Sequence, residues 1–202
     1  MAGLRLGVLG GTFDPPHVGH LILADEACSH LKLDRLLWVL TSKPPHKRSQ
    51  AITPLELRLH MLEAAIKGNP RFQLSRVDID RTPPHFAVDT MRSLKDQFPG
   101  DILVYLMGGD SLHDLPTWRD PSGFLSAADG LGVMRRPGAD LDLPELERKL
   151  PGLRTKLMIF EAPILEISST RIRKLISENG PYRYYLPPAV YSIVRKNRLY
   201  QA

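Results

Sequence analysis

Residues 4–20 read Leu-Arg-Leu-Gly-Val-Leu-Gly-Gly-Thr-Phe-Asp-Pro-Pro-His-Val-Gly-His, and the change of pattern along them decides the fold. Leu4 to Leu9 is a short apolar run, Gly10-Gly11 closes it, and Leu21 to Leu31 then takes helical spacing. The order is strand, loop, helix. Two glycines directly after a strand let the backbone turn sharply and bring its amides close to a ligand with no Cβ in the way. Gly10-Gly11-Thr12-Phe13-Asp14 has the spacing of neither the G-x-G-x-x-G dinucleotide fingerprint nor a Walker loop. His17-Val18-Gly19-His20 falls at the expected helix start, where residues three apart share a face, so both imidazoles can address one bound group. The helix N-terminus adds partial positive charge for an anion. Spacing alone leaves three readings open: a phosphate-contacting pair, a structural pair, or zinc ligands with Asp14 or His46. A zinc set needs three or four suitable ligands, and neither a cysteine nor a Glu-x-x-His companion lies near.

Beyond this stretch, strands are predicted at Leu36 to Leu40, Phe72 to Ile79, Ile102 to Met107, Leu131 to Met134 and Leu157 to Phe160. The polar members of Phe72 to Ile79 give it a more exposed place. Thr53-Pro54 with Glu56 reads as a capping box ahead of a helix running to about Lys67. Helices are also predicted over Phe86 to Gln97, Ser168 to Ser177 and Pro188 to Lys196, while the stretches around Pro83, Pro116 and Pro144 read as rigid connections. Strands alternating with helices imply βαβ units, hence an α/β, doubly wound parallel sheet of Rossmann-like type. In such sheets ligands lie at the carboxyl ends of the strands. Gly10 to His20, Thr41 to Lys47 and Gly108 to Ser111 each follow a predicted strand, so they can meet along one edge.

The length of 202 residues fits one domain, 1–202, with 168–202 as a small helical C-terminal part. Hydrophobic residues at 43% and charged residues at 24% match an ordinary globular chain. No apolar run approaches a membrane span and no signal peptide is apparent, so a cytoplasmic protein is expected. The lone cysteine, Cys28, sits in an apolar helical pattern and reads as core. The net charge of +5 and pI of about 9.4 admit nucleic acid, membrane surface or phosphorylated ligands. The basic residues are dispersed, with short clusters at Lys43 to Arg48, Arg135-Arg136 and Arg171 to Lys174, and no aromatic-basic repeat accompanies them. Phosphate pockets are favoured over a nucleic-acid groove.

The segment GGTFDPPHVGH, Gly10 to His20, resembles the H-x-G-H signature of the nucleotidyltransferase superfamily in the form found in nicotinate-nucleotide adenylyltransferases. Ser42-Lys43-Pro44-Pro45-His46-Lys47 resembles that family's P-P-H-K loop, Gly108-Gly109-Asp110-Ser111 with Leu115-Pro116-Thr117-Trp118 its G-x-D-S region, and Arg135-Arg136-Pro137-Gly138 its R-P-G turn. Ile167-Ser168-Ser169-Thr170-Arg171-Ile172-Arg173 is similar to its I-S-S-T-x-I-R motif, and Tyr185 to Val190 and Leu199-Tyr200 match its C-terminal region, so the likeness covers nearly the whole chain.

The resemblance implies an adenylyltransferase that joins AMP from ATP to nicotinate mononucleotide, releasing pyrophosphate and the deamido dinucleotide, with Mg²⁺ carried on the ATP and no resident metal. It implies catalytic roles for His17, His20, Lys47 and Arg173. ATP contacts fall to Gly10, Gly11, Thr12, Phe13 and Gly19, to Gly108 and Asp110, and to Ile167, Ser168, Ser169 and Thr170 together with His17, His20 and Arg173. Acceptor contacts fall to Thr12, His46, Lys47, Phe86, Ala87, Asp110, Leu112, Trp118 and Arg136, with Trp118 stacking on the pyridine ring. One segment departs: where the family commonly has Gly-Pro-Ser-Tyr-Thr, this chain has Pro83-Pro84-His85-Phe86-Ala87, so the threonine that helps hold the pyridine carboxylate is Ala87. Backbone amides near Trp118, Thr82 or His85 are the replacements at hand. Transfer to nicotinamide mononucleotide or phosphopantetheine is the rival within enzymes, and a nucleotide or RNA-binding protein without turnover is the rival outside them. Neither membrane nor nucleic acid is expected as a partner, and a homo-oligomer is compatible with the sequence.

Overall fold

The computed structural model describes residues 3–42, 52–135, 142–163 and 165–201. Among them, Arg5–Gly11 (β1), Arg35–Leu40 (β2), Phe72–Ser75 (β3), Ile102–Gly108 (β4), Gly130–Arg135 (β5) and Leu157–Glu161 (β6) pair in parallel as one sheet, in the order β3-β2-β1-β4-β5-β6. This is the expected doubly wound sheet. A parallel sheet is covered on both faces, which is why β2 reads as an almost unbroken apolar run. Alternate side chains divide between the faces: Leu37 and Val39 enter one core, while Leu36, Trp38 and Leu40 enter the other.

Val18–His30 (α1) and Leu55–Ile66 (α2) cover the second face through Ala24, Cys28, Leu62 and Ile66. Cys28 is therefore core, as its pattern predicts, and burial pushes its thiol up to about 11. Ala87–Gln97 (α3), Gly109–Asp114 (α4) and Pro121–Ala127 (α5) cover the first face through Val88, Met91, Leu112 and Phe124. Leu143–Lys149 (α6) and Leu153–Lys156 (α7) add Leu146 and Leu153 to that core. A third core joins Ser169–Ser177 (α8) and Pro188–Lys196 (α9) to Met61 of α2 through Ile172, Ile176, Val190 and Val194. No helix among the described residues is long and apolar enough to cross a membrane.

Several local expectations change. β3 ends at Ser75 rather than Ile79, because Ile79 and Asp80 donate back to the Arg76 carbonyl at 2.8 and 2.9 Å and close a turn. That turn buries the Asp78 carboxylate, which accepts from Thr90 Oγ1 at 2.7 Å and Arg81 Nη2 at 3.0 Å. The predicted capping box at Thr53 does not form. Pro54 is the residue before α2; Thr53 N–H donates to Asp14 Oδ2 at 3.2 Å, and its side chain meets the Tyr200 hydroxyl rather than capping the helix. Pro116 and Pro144 lie inside first helical turns rather than in connections, Pro116 in the short 3-10 turn Leu115–Thr117 and Pro144 in α6. This suits a residue whose missing N–H would have no helical partner there.

The sheet order reverses between β1 and β4, and the chain leaves their carboxyl ends in opposite directions, which opens a crevice there. One buried side chain holds the neighbouring loops around that crevice. Arg58 of α2, 2% exposed, donates Nε to the Thr53 carbonyl at 2.9 Å, Nη1 to Thr12 at 3.0 Å and Thr41 at 2.9 Å, and Nη2 to Ser42 at 2.9 Å. Burial lowers its pKa, and the nearby Asp14 opposes that fall. Arg58→Met keeps the volume and orphans these carbonyls. It is expected to lower the unfolding free energy by roughly 3 kcal/mol, read as a shifted urea midpoint; an unshifted midpoint would show that the loops hold themselves.

Candidate functional site

The crevice is floored by the turn from β1 into α1. A Cβ on Gly11 would come 2.9 Å from the Phe13 ring, so the turn is this tight only with glycine there. Phe13 takes a left-handed backbone, φ 46°, and its buried ring packs on Trp38 with centroids 5.4 Å apart and on the edge of His20 at 5.1 Å. Its expected contact with ATP thus falls to its backbone. His17 is the residue before α1, in extended conformation with φ −140° and ψ 169°, rather than a member of the helix. The two imidazoles nevertheless meet, stacked with centroids 3.7 Å apart and planes 24° from parallel. A Cβ on Gly19 would lie 3.1 Å from His17 Nδ1, so the bare glycine makes room for the ring.

The protonation of this pair follows from its contacts. His17 N–H donates to His20 Nδ1 at 3.2 Å, which leaves the proton of a neutral His20 on Nε2. Burial pulls His17 down to about 4, and burial together with His17 holds His20 well below the usual imidazole range. The pair therefore stands at neutral pH as uncharged rings.

From the other side comes the N-terminus of α8. Ser168 caps it, accepting from Arg171 N–H at 3.1 Å, and Ser169 Oγ donates to the Pro15 carbonyl at 2.9 Å. Arg173 Nη1 donates to the Asp14 carbonyl at 2.8 Å and Nη2 to Thr170 Oγ1 at 3.4 Å. Ile167 closes on the start of α1, its Cβ 3.7 Å from where a Cβ on Gly19 would stand. Two helix N-termini thus converge on the loop 12–17, a place for an anion made by both ends of the chain. At the end of β4, α4 begins directly at Gly109, Asp110 is exposed in its first turn, and a Cβ on Gly108 would meet nothing within 4 Å.

Trp118 is half-buried, edge-on to Tyr105 at 6.2 Å and to Phe124 at 5.3 Å. Burial and Asp78 push Tyr105 up to about 12, so its hydroxyl keeps its proton. A cleft of about 550 Å³ is lined by Arg81, Thr82, Phe86, Arg92, Arg119 and Asp120 among others. Arg81 pairs with Asp78 and Asp89, and Arg92 with Asp120. Arg119 makes no ion pair among the described residues and lies over the Phe86 ring, 5.2 Å from its centroid. His85 is turned inward, its Nε2 hydrogen-bonded to Ser42 Oγ at 2.6 Å, whereas Thr82 faces the cleft. Leu112 is 0% exposed, so its side chain belongs to the core and only its backbone can meet an acceptor. Ala87 opens α3 beside Phe86, and Thr12 is half-buried above Arg58. His46, Lys47 and Arg136 lie outside the described residues. A larger cleft, about 790 Å³, runs along Leu21, Asp25, Lys67 and Phe72 at the far end of α2 and holds none of these groups.

Arg58, Asp78 and Arg119 escape a motif reading, and Asp14 and Tyr200 stand inside quoted motifs that give them no role at this site. Arg58 alone has a local signal, a charge set on the apolar stripe between Leu55 and Leu62.

Comparison with known proteins agrees with this geometry. The profile of the cytidylyltransferase-like family matches residues 8–175. A protein of Thermomicrobium roseum named probable nicotinate-nucleotide adenylyltransferase is 41% identical over 197 residues, covering 98% of this chain and 92% of its own. A protein of the same name from Roseiflexus sp. is 39% identical and covers 100% of both. Among solved structures, the nicotinic acid mononucleotide adenylyltransferase of Plasmodium falciparum complexed with NaAD superposes with a TM-score of 0.80 at 18% identity, over 98% of this chain and 97% of that one, which shows the shared fold.

The neutral histidines give a pH dependence with a definite sign. The folded pKa of His17, about 4, lies below the unfolded value of 6.5, so the unfolded chain binds more protons between them. Stability is expected to be full above about pH 6.5 and to fall as pH drops toward 4, by up to about 1.4 kcal/mol per pH unit for each such histidine. Denaturant midpoints across that range, compared with those of His17→Gln, check this; parallel curves would remove His17 as the cause.

Proposed function

From the premise that this chain belongs to the cytidylyltransferase-like family and, at 35–41% identity over its length, to the nicotinate-nucleotide adenylyltransferases, we propose that it transfers AMP from ATP to nicotinate mononucleotide. A phosphate oxygen of the acceptor attacks the α-phosphorus of ATP. The bond to the β-bridging oxygen breaks, and pyrophosphate leaves with that electron pair. No covalent enzyme intermediate is needed, so the protein's task is alignment and stabilisation of charge.

The observation that carries this reading is the joint made at Asp14 and Pro15, where the N-termini of α1 and α8 are locked side by side by Ser169 and Arg173. The triphosphate is assigned to this joint, with Ser168, Ser169, Thr170 and the remaining N–H groups of Arg173 as its donors. His17 and His20 act as hydrogen-bond donors rather than as fixed cations, His20 through Nε2. The approaching anion then raises both imidazole pKa values, so charge is supplied where it develops. Lys47 is proposed to add its ammonium from the loop after β2. Gly108 and Asp110 are assigned to the nucleoside of ATP, where the carboxylate accepts from ribose hydroxyls. Mg²⁺ is assigned to the triphosphate itself, whose oxygens are the hard ligands it prefers.

The acceptor is assigned to the side of Trp118, Phe86 and Ala87, with His46 and Arg136 toward its phosphate. Arg119, the cation of that cleft without an ion-pair partner among the described residues, supports an acidic pyridine ring over an amide. It takes over what the family's threonine does where this chain has Ala87. A cytoplasmic location accords with this chemistry.

Pyrophosphate release with ATP, Mg²⁺ and each of nicotinate mononucleotide, nicotinamide mononucleotide and phosphopantetheine tests the assignment. Turnover is expected with the first, and turnover with another alone would reassign the acceptor. His20→Ala is expected to lower kcat by roughly 10². Arg119→Ala is expected to lower kcat/KM for the nicotinate acceptor roughly tenfold while leaving the KM for ATP unchanged. An unaltered preference between acid and amide would remove Arg119 from the acceptor site.

A further inference from the structure

We propose that Tyr200 is a positioning residue of the adenylyl-transfer site, which it sets through the buried carboxylate of Asp14; this rests on the reading of that site given above. Asp14 is 4% exposed, and each of its carboxylate oxygens is engaged: Oδ2 accepts from Thr53 N–H at 3.2 Å, and Oδ1 accepts from the Tyr200 hydroxyl at 2.6 Å. Its backbone carbonyl takes Arg173 Nη1 at 2.8 Å, and the next carbonyl, Pro15, takes Ser169 Oγ. The residue that orients Arg173 and leads into His17 is thus itself held by a side chain 186 positions along the chain.

The geometry is built for that contact. After α9 the backbone turns left-handed at Arg198, φ 49°, and at Tyr200, φ 65°, conformations that cost a side-chain-bearing residue free energy unless something compensates. The turn carries the Tyr200 ring beside the third core and its hydroxyl to Asp14. Burial and the adjoining carboxylate raise the tyrosine pKa, so the hydroxyl stays a donor. Arg58, beneath the same loop, and Arg173, above it, place positive charge on either side of Asp14. The phenol supplies what neither guanidinium does, a neutral, directional donor that fixes which way the carboxylate plane faces. Without it, Asp14 keeps only Thr53 N–H, and the carboxylate can pivot on that bond toward either arginine.

Tyr200→Phe removes one oxygen and keeps the ring. It is expected to lower kcat/KM for ATP about tenfold, to weaken the Mg-ATP dissociation constant measured without acceptor by a similar factor, and to leave the acceptor KM within twofold. The imidazole titration of His17, followed by NMR and assigned with His17→Gln, is expected to move from about 4 toward 6.5 as the ring pair loosens. Tyr182→Phe removes a hydroxyl beside the same core and is expected to leave all four quantities unchanged. Asp14→Asn keeps the shape, removes the charge beside Arg58 as well, and is expected to weaken ATP binding and shift His17 at least as far as Tyr200→Phe, which preserves the test if the latter fails to fold. An ATP dissociation constant and a His17 titration unchanged in either folded variant overturn the proposal. Wild-type protein that binds ATP and makes no product with nicotinate mononucleotide would overturn the acceptor assignment alone, since both of these measurements need no acceptor.

Discussion

The structure depends on one buried guanidinium. The loops after β1 and β2 and the approach to α2 must lie against one another at the carboxyl edge of the sheet, where their backbone carbonyls have no strand partner. Arg58 satisfies carbonyls of all three at once, from inside. A water cluster would satisfy the same groups without fixing their separation. A planar cation with its N–H groups in a rigid fork fixes both. The charge is tolerable there because Asp14 lies close by, so the cation and the anion of the 12–17 loop are desolvated together.

Above that support, the two imidazoles carry no charge at neutral pH. His17 and His20 stand as stacked neutral rings, and the charge of Arg173 is partly spent on a backbone carbonyl. A rigid cluster of cations would repel itself in the empty protein and hold every passing anion equally. Neutral donors that gain charge beside a polyanion, as proposed for His17 and His20, would avoid both costs.

The sheet was legible in the sequence because its central strands β1, β2, β4 and β5 are mostly buried and so write short apolar runs, and because glycine pairs mark where β1 and β4 end. The long helices were legible by period. The short helices α4, α5, α6 and α7 were not, since one or two turns leave no periodicity to read. The end of β3 differs from the expectation because Val77 and Ile79 resume an alternation one residue out of phase with Phe72 and Leu74, while Asp78 between them turns inward for Thr90 and Arg81. At the site, His17, His20 and the Ser168 to Arg173 segment could be named from motifs, yet their manner of meeting could not. Asp14 and Tyr200 meet only in the fold, and a bond between them leaves no mark on the residues next to either. Leu112 shows the converse, a place in a motif occupied by a side chain whose work is in the core.

The third core has a consequence for how the protein comes into being. What grips the loop from above, Ser169 and Arg173 on α8 and Tyr200 in the turn after α9, belongs to a layer that packs on Met61 of α2 rather than on the sheet. These helices are also synthesised after all six strands. A nascent chain emerging N-terminus first can close its sheet and bury two cores while its 12–17 loop still has only one side. The same boundary can open in partial unfolding, where loosening α8 and α9 would take Ser169, Arg173 and Tyr200 from the loop with the sheet still standing.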